Sequence, residues 1–310
     1  MTAPMFEERF ARAVGPSRLD IAYECRGEPS DPTVLLIMGL GAQLVHWRPG
    51  FLDALVARKL HVVRFDNRDA GRSTHLDGVR EPDLAAALAG DLSSASYTLS
   101  DMAGDAIGLL DALGIASAHI VGASMGAAIG QLAAIEHPQQ VRSLTSMMST
   151  TGNPSVGQMD PRVRKALFSD ASAAASREEA VDRAIRRASV ANSPGFARTP
   201  EDIASVSGTA WDRDHDLPSV VRQAVATIAS GDRTAKLRRL DLPTLVVHGA
   251  DDPICDVSGG RATAAAVAGA ELVVIDGMGH EIPAPLWDRI ADRIAAVVER
   301  AEARRSGAGR

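Results

Sequence analysis

The sequence predicts an α/β protein in which a mostly parallel sheet of about eight strands carries helices on both faces. First, apolar runs alternate with segments of helical spacing, which is the pattern of parallel strands joined by crossover helices. Second, runs such as TVLLIM (33–38) and TLVVH (244–248) are apolar throughout, as expected for strands buried on both faces. Third, the alternation lapses over residues 151–239 and then resumes, which indicates an inserted helical segment.

Local signals place the elements that precede the insertion. Residues 5–26 predict two strands joined by a turn at Val14–Ser17, because the second, Arg18–Glu24, alternates polar and apolar side chains. Thr98–Asp101 (TLSD) predicts a capping box that opens a helix. The other elements expected here are strands at 33–38, 61–65, 117–121 and 141–148, and helices at 51–59, 98–114 and 125–136.

The last part of the chain returns to the alternating pattern. It predicts a strand at 244–248, a helix near 260–267, a strand at 271–275 and an amphipathic helix from about Pro285 to Ala303. We therefore expect a core formed by residues 1–150 and 240–303, an inserted helical cap at 151–239 and a disordered tail at 304–310.

Composition and charge exclude several classes of protein. The chain has 310 residues with a net charge of −6, which argues against a nucleic-acid partner. Cys25 and Cys255 are far apart and lack CxxC spacing, which favours a reducing compartment, the cytoplasm. There is no membrane-span or signal-peptide pattern, and no HxH or HExxH pair supports a metal site. We expect no cofactor and no metal, and the sequence leaves the oligomeric state open.

Gly122-Ala123-Ser124-Met125-Gly126 matches G-x-S-x-G, a pattern that places a nucleophilic serine on a sharp turn between a strand and a helix. The pentapeptide alone is weak and is compatible with a simple turn serine. Its context favours the nucleophile, because an apolar strand precedes it and a helical segment follows. The helix N-terminus would also stabilise a developing oxyanion.

A serine nucleophile needs a base and a carboxylate that orients the base. Asp252 follows the strand after the insertion, and His280 follows the last strand, so both stand at the carboxyl ends of predicted parallel strands. Asp251 competes with Asp252 for the role of the acid, and Asp252 is preferred. We interpret His248 as a packed histidine near the acid and Cys255 as a small buried side chain. The histidines interpreted as structural or solvated are His46, His61, His75, His119, His137 and His215.

Taken together, these motifs resemble the α/β-hydrolase superfamily over nearly the whole chain. The segments that carry the resemblance are IMGLG (37–41), FDNRDAGRS (65–73), YTLSDMAGDAIGLLDALGI (97–115), GASMG (122–126), LVVHGADDPI (245–254) and GMGHEIP (277–283). The superfamily usually has glycine where Asp69 stands, and a form with Asp there resembles the subgroup that includes aclacinomycin methylesterase.

The resemblance implies an oxyanion hole formed by the backbone amides of Leu40 and Met125. Many relatives have His-Gly where this chain has Met38-Gly39, a departure that leaves a backbone donor intact. Residues 151–239 match the cap that covers the site in this superfamily. Trp47, Met147, Met148 and Met159 are candidates for an apolar pocket wall, with ordinary core packing as the alternative.

The expected activity is therefore that of a serine hydrolase acting on a carboxylic ester of a hydrophobic small molecule, such as a methyl ester or a lactone, without a cofactor. The same triad also serves carbon–carbon bond hydrolases, acyltransferases, aminopeptidases and perhydrolases, so these alternatives stay open. Relatives that use Asp as the nucleophile, such as haloalkane dehalogenases and epoxide hydrolases, are excluded by Ser124. A non-catalytic ligand-binding protein or a scaffold is disfavoured by the complete set of triad residues.

Overall fold

The computed structural model describes residues 7–168 and 173–308. At its centre is an eight-stranded sheet. In chain order its strands are β1 (Arg9–Val14), β2 (Leu19–Arg26), β3 (Thr33–Ile37), β4 (His61–Phe65), β5 (Ala118–Ala123), β6 (Val141–Met147), β7 (Thr244–Gly249) and β8 (Glu271–Ile275).

The order of the strands across the sheet is β1-β2-β4-β3-β5-β6-β7-β8. β2 is antiparallel to both β1 and β4, whereas the strands from β4 to β8 pair in parallel. Every residue of β3, β4, β5 and β7 is buried, which agrees with their position between two layers of helices. The carboxyl ends of the parallel strands therefore lie along one edge, where open α/β sheets place their sites.

Helices cover both faces of the sheet. They are α1 (Pro49–Val56), α2 (Leu84–Leu88), α3 (Leu99–Ala112), α4 (Met125–Glu136), α5 (Pro161–Phe168), α6 (Arg177–Ala191), α7 (Pro200–Arg213), α8 (Leu217–Ala229), α9 (Thr234–Leu237), α10 (Ser258–Ala266) and α11 (Trp287–Ala308). α3 and α4 bury Leu110 and Ile129 in one hydrophobic cluster, and α1 and α11 bury Phe51 and Ile290 in the other. The predicted fold class is confirmed.

Helices α5 to α9 occupy the stretch between β6 and β7, and two buried ion pairs join α7 and α8 to the loop after β4. Arg213, at the end of α7, pairs with Asp66, which follows β4. Arg222 of α8 donates two hydrogen bonds of 2.9 Å to the carboxylate of Asp69. The hydroxyl of Tyr97 donates a third, of 2.7 Å, to the same carboxylate. Removing one partner of such a buried pair leaves an uncompensated charge and typically costs about 3–5 kcal/mol.

The pKa values of the two carboxylates shift in opposite directions. Burial raises the pKa of Asp66 above its usual range in spite of the neighbouring Arg213. Burial acts in the same direction at Asp69, but the bonds from Arg222, from the Leu76 amide and from Tyr97 outweigh it and lower the pKa of Asp69. Asp69 is therefore ionised in the native protein at neutral pH.

Several boundaries differ from the sequence-based expectations. The tail expected to be disordered from residue 304 instead continues α11 to Ala308, and exposed contacts join Arg304 to Asp241 at 3.5 Å and Arg305 to the Ser117 hydroxyl at 3.4 Å. Residues 309–310, and the first residues of the expected strand at 5–26, lie outside the described residues. The short helix α2 was not predicted, because five residues are too few to show a helical period.

Candidate active site

Ser124 stands alone between β5 and α4, in a backbone conformation that side chains rarely adopt. Its φ is 55° and its ψ is −122°, and its amide donates a 2.9 Å hydrogen bond to the carbonyl of Met147. The glycines of the motif make this corner possible. A Cβ on Gly122 would lie 2.5 Å from the backbone nitrogen of Ala127, and one on Gly126 would lie 2.6 Å from the carbonyl oxygen of Met38. The small residues are therefore required by close backbone approach.

Three side chains from distant parts of the chain meet at this corner. Nε2 of His280 lies 2.9 Å from Oγ of Ser124, and Nδ1 of His280 lies 2.7 Å from Oδ2 of Asp252. Asp252 follows β7 and His280 follows β8, so both side chains reach the serine from the carboxyl edge of the sheet. These distances are those of hydrogen bonds through which a proton can pass from a hydroxyl to an imidazole.

The carboxylate of Asp252 is buried and fully engaged. Its Oδ1 accepts hydrogen bonds of 2.9 Å from the amides of Ile254 and Cys255. Burial alone would raise the pKa of Asp252. The charge of His280 and hydrogen bonds from His248, His280 and the Cys255 amide outweigh burial and hold that pKa far below its usual range. The group is therefore a carboxylate that can stabilise an imidazolium.

The structure separates Asp252 from its competitor. Asp251 is exposed, and its Oδ2 accepts a 2.8 Å hydrogen bond from the amide of Gly277, which fixes the loop after β8. His248 is fully buried, with Nε2 2.7 Å from the carbonyl oxygen of Cys255 and 3.5 Å from Asp252. Cys255 is buried as well. Both lie where the sequence-based interpretation put them.

The predicted oxyanion donors are the amides of Leu40, in the loop after β3, and of Met125, the residue after Ser124. A Cβ on Gly39 would lie 3.1 Å from Cβ of Ser124, so the loop after β3 adjoins the serine directly. Asn67 steadies this loop by donating a 2.9 Å hydrogen bond to the carbonyl of Met38. Across residues 7–168 and 173–308, no protein acceptor takes a hydrogen bond from either amide. Both donors are available for an oxygen of a ligand.

A cavity of about 740 Å³ opens onto Ser124 and His280. Its wall is mainly apolar, and Trp47, Met148 and Met159 contribute to it as the sequence suggested. Met147 does not, because it is fully buried in the core from β6. The inserted segment provides much of the remaining wall, through Phe196, Val206, Leu217, Val220, Val221 and Ala224.

Charged and polar side chains occupy one part of the same wall, and sequence reasoning did not assign them. Arg48 and Arg198 each bond to Asp202 at 2.6 Å, and Glu281 lies 3.8 Å from Arg198. His46 also lines the cavity. The available signal for His46 and Arg48 was their position soon after β3, at the edge where ligands bind.

The described parts of the chain contain no group of three or more His, Cys, Asp or Glu side chains arranged to hold a metal ion. No helix among them combines the length and the apolar character that crossing a bilayer requires.

The sheet order, the strained serine corner and the Ser–His–Asp contacts define the class of protein. The family model described as the alpha/beta hydrolase fold matches residues 32–284, and the chain belongs to this family. The resemblance drawn from the motifs is thus confirmed.

Individual relatives are similar over most of their length. The chain is 29% identical over 294 residues to rhodomycin D methylesterase DauP of Streptomyces sp. strain C5, and 26% identical over 287 residues to rhodomycin D methylesterase DnrP of Streptomyces peucetius. Each comparison covers 87% of this chain and 92% of the relative. Among solved structures, the enol-lactonase of Burkholderia xenovorans LB400 matches with a TM-score of 0.69 at 23% identity, over 94% of this chain and 100% of that chain. That similarity supports the fold.

Proposed function

We propose that the protein is a serine hydrolase that cleaves a carboxylic ester of a small, largely apolar molecule through a covalent acyl-enzyme. The observation that carries the proposal is the 2.9 Å contact between Oγ of Ser124 and Nε2 of His280 in the wall of a mainly apolar cavity of about 740 Å³. A hydroxyl is a weak nucleophile by itself, and this contact supplies the base that activates it.

In the proposed reaction, Oγ of Ser124 attacks the ester carbonyl while Nε2 of His280 takes its proton. Asp252 accepts the hydrogen bond from Nδ1–H and stabilises the imidazolium that forms. The amides of Leu40 and Met125 donate to the oxyanion. His280 then gives its proton to the departing alkoxide, and the alcohol leaves. Water, deprotonated by His280, attacks the acyl-enzyme, and the acid is released as Ser124 regains its proton.

We infer further that the scissile group is a methyl ester. Support comes from the two rhodomycin D methylesterases, which are similar to this chain over 87% of its length. The apolar wall suits a hydrophobic acyl group, and methanol is small enough to leave without its own pocket. We propose that residues 151–239 act as a cap over a core formed by 1–150 and 240–303, because side chains from this segment line the cavity. The unpaired Cys25 and Cys255 favour a cytoplasmic location.

The test is hydrolysis of para-nitrophenyl acetate and of methyl arylalkanoates by the wild type and by Ser124→Ala. We expect turnover that falls roughly 10³- to 10⁶-fold in the variant. Ser155→Ala removes an exposed hydroxyl and serves as the control. A fluorophosphonate should label the wild type and the control but not Ser124→Ala. Equal rates in Ser124→Ala and the wild type would refute the proposal.

Product analysis separates ester hydrolysis from the other chemistries of the same triad. Stoichiometric methanol and carboxylic acid from a methyl ester support the proposal. Turnover confined to a carbamate, to a carbon–carbon bond, to acyl transfer or to peracid formation would replace it. Relatives of this chain include a putative carbamate hydrolase RutD of Variovorax paradoxus strain S110, 28% identical over 242 residues, so a carbamate belongs in the panel.

A further inference from the structure

His46 lies at the end of a short 3₁₀ turn, Leu44–His46, and lines the cavity that contains Ser124. Its Nδ1 lies 3.0 Å from the amide nitrogen of Gln43 and 3.1 Å from the carbonyl oxygen of Gln43. That carbonyl already accepts a 3.0 Å hydrogen bond from the amide of His46. In the described chain, the amide of Gln43 has no other acceptor than Nδ1.

Both the amide and the carbonyl of Gln43 have a partner when Nδ1 of His46 accepts the hydrogen bond from the Gln43 amide. A neutral imidazole that accepts at Nδ1 carries its proton on Nε2. Burial lowers the pKa of His46 to about 4. The contact with the Gln43 carbonyl opposes burial, and the smaller effects of the charges on Arg198, Arg48 and Arg213 add to the effect of burial. The ring is therefore neutral at pH 7.

The orientation of the ring is fixed before any ligand binds. The side-chain amide of Gln43 donates to the carbonyls of Ala210 and Asp214 at 2.8 and 3.2 Å, and it accepts from Nε of Arg213 at 3.0 Å. These bonds tie Gln43, and through it His46, to the end of α7. Nε2 of His46 has no hydrogen-bond acceptor among the described residues. It is not one of the fully buried polar atoms that lack a partner, so part of its surface is accessible.

Charged side chains lie beside His46, whereas its own ring is a neutral donor. Both oxygens of Asp202 are occupied by Arg48 and Arg198, each at 2.6 Å, and Glu281 stands near Arg198. Nη1 of Arg48 is buried and has no hydrogen-bond partner among the described residues, so it is a cationic donor beside His46 in the same wall. A neutral acceptor, such as a ketone or ether oxygen, needs only the N–H.

From this geometry we infer that Nε2–H of His46 is a substrate-binding donor, and that it selects esters whose apolar body carries a neutral acceptor oxygen away from the scissile bond. The inference rests on the proposed function, since it assigns a substrate feature to the same cavity. The role is one of specificity: His46 binds the substrate and does not take part in proton transfer.

The experiment compares matched esters that differ only in the acceptor. Methyl esters of (para-acetylphenyl)acetic, -propanoic and -butanoic acids are paired with their para-ethyl counterparts, in which CH₂ replaces C=O. One neutral hydrogen bond should favour the better-fitting ketone by about 3- to 10-fold in kcat/KM. We expect His46→Phe to reduce the ratio to one and His46→Gln, which keeps a donor, to retain part of it. His215→Phe, at an exposed histidine, should keep the full ratio.

Two further measurements make every outcome decisive. Affinities of the same pairs for Ser124→Ala, measured by calorimetry, do not depend on turnover. A binding preference without ester turnover would refute the proposed function and support the donor, whereas turnover without any preference would overturn the donor. Nitrogen NMR of the wild-type imidazole needs no variant, so it decides even if His46→Phe fails to fold. A proton on Nδ1, or an Nε2 signal that does not respond to the ketone, overturns the inference.

Discussion

Gly126→Ala tests whether the close approach of α4 to β3 sets the geometry of the oxyanion donors. A Cβ at this position would lie 2.6 Å from the carbonyl oxygen of Met38 and closer still to that of Ile37, both rigid backbone atoms. The start of α4, including the Met125 amide, must therefore move by about an ångström, since overlaps of this kind are never accommodated in place.

The matched control is Gly104→Ala in the interior of α3, where an added Cβ meets nothing within 4 Å. Both changes gain the same helix propensity, about 0.5–1 kcal/mol. We expect Gly104→Ala to raise the free energy of unfolding by that amount and to leave kcat unchanged. Gly126→Ala should lower the free energy of unfolding by up to about 2.5 kcal/mol, because the overpacking cost of about 1–3 kcal/mol exceeds the propensity gain of about 0.5–1 kcal/mol.

A donor displaced by about an ångström costs on the order of 100-fold in rate. The loss should appear in kcat more than in KM, because the oxyanion forms only in the transition state. Urea unfolding and hydrolysis of a para-nitrophenyl ester measure the two effects. If Gly126→Ala matched Gly104→Ala in both stability and kcat, the argument that backbone contact positions the Met125 amide would be wrong.

Three more predictions follow from the site and the sheet. Asp252→Asn should reduce kcat by about 10⁴-fold, as expected when the histidine loses the group that fixes its tautomer, while Asp251→Asn keeps most of it; the reverse order in a kinetic assay would transfer the role of the acid. Ser124→Gly should be more stable than Ser124→Ala by about 1 kcal/mol in urea unfolding, because glycine relieves the strained φ of 55°; a less stable glycine variant would contradict the strain. Burial lowers the pKa of His119 to about 4. Below pH 6.5 the unfolded chain therefore binds a proton at this residue that the native state does not bind, so the free energy of unfolding should fall between pH 6.5 and 4. His119→Asn should flatten that decline in unfolding curves, and an unchanged slope would rule His119 out as its source.

The sequence was sufficient for the elements that carry strong local signals. β4 and β8 have the predicted bounds, and Thr98 accepts from the amide of Asp101 in the predicted capping box. These signals are local: an apolar run has to be buried, and a cap satisfies backbone groups within four residues. The catalytic assignment of Ser124 stays a prediction, although its neighbours adopt the geometry that the motif requires.

What the sequence did not predict depends on contacts between distant residues. The ion-pair partner of Asp69 is Arg222, 153 positions away, and no spacing rule connects them. From the sequence, His46 was interpreted as structural or solvated. Its place in the cavity wall depends on contacts between Gln43 and the distant helix α7, which no local pattern reveals. Met147 and Met148 are adjacent and both belong to the buried core, yet only Met148, just past the end of β6, also lines the cavity.

The two buried arginine–carboxylate pairs bear on how such an enzyme could be re-engineered. Arg213 and Arg222 extend from the inserted helices to Asp66 and Asp69 in the loop after β4, while the residues that face the cavity occupy other positions on those helices. Attachment and most of the cavity wall are thus encoded at different positions; Arg213 is an exception, because its Nε also donates to Gln43, which orients His46. A chimera in which another helical segment replaces this one should fold if it keeps both arginines at equivalent positions. Libraries confined to the cavity-facing positions should change substrate choice without weakening the two ion pairs.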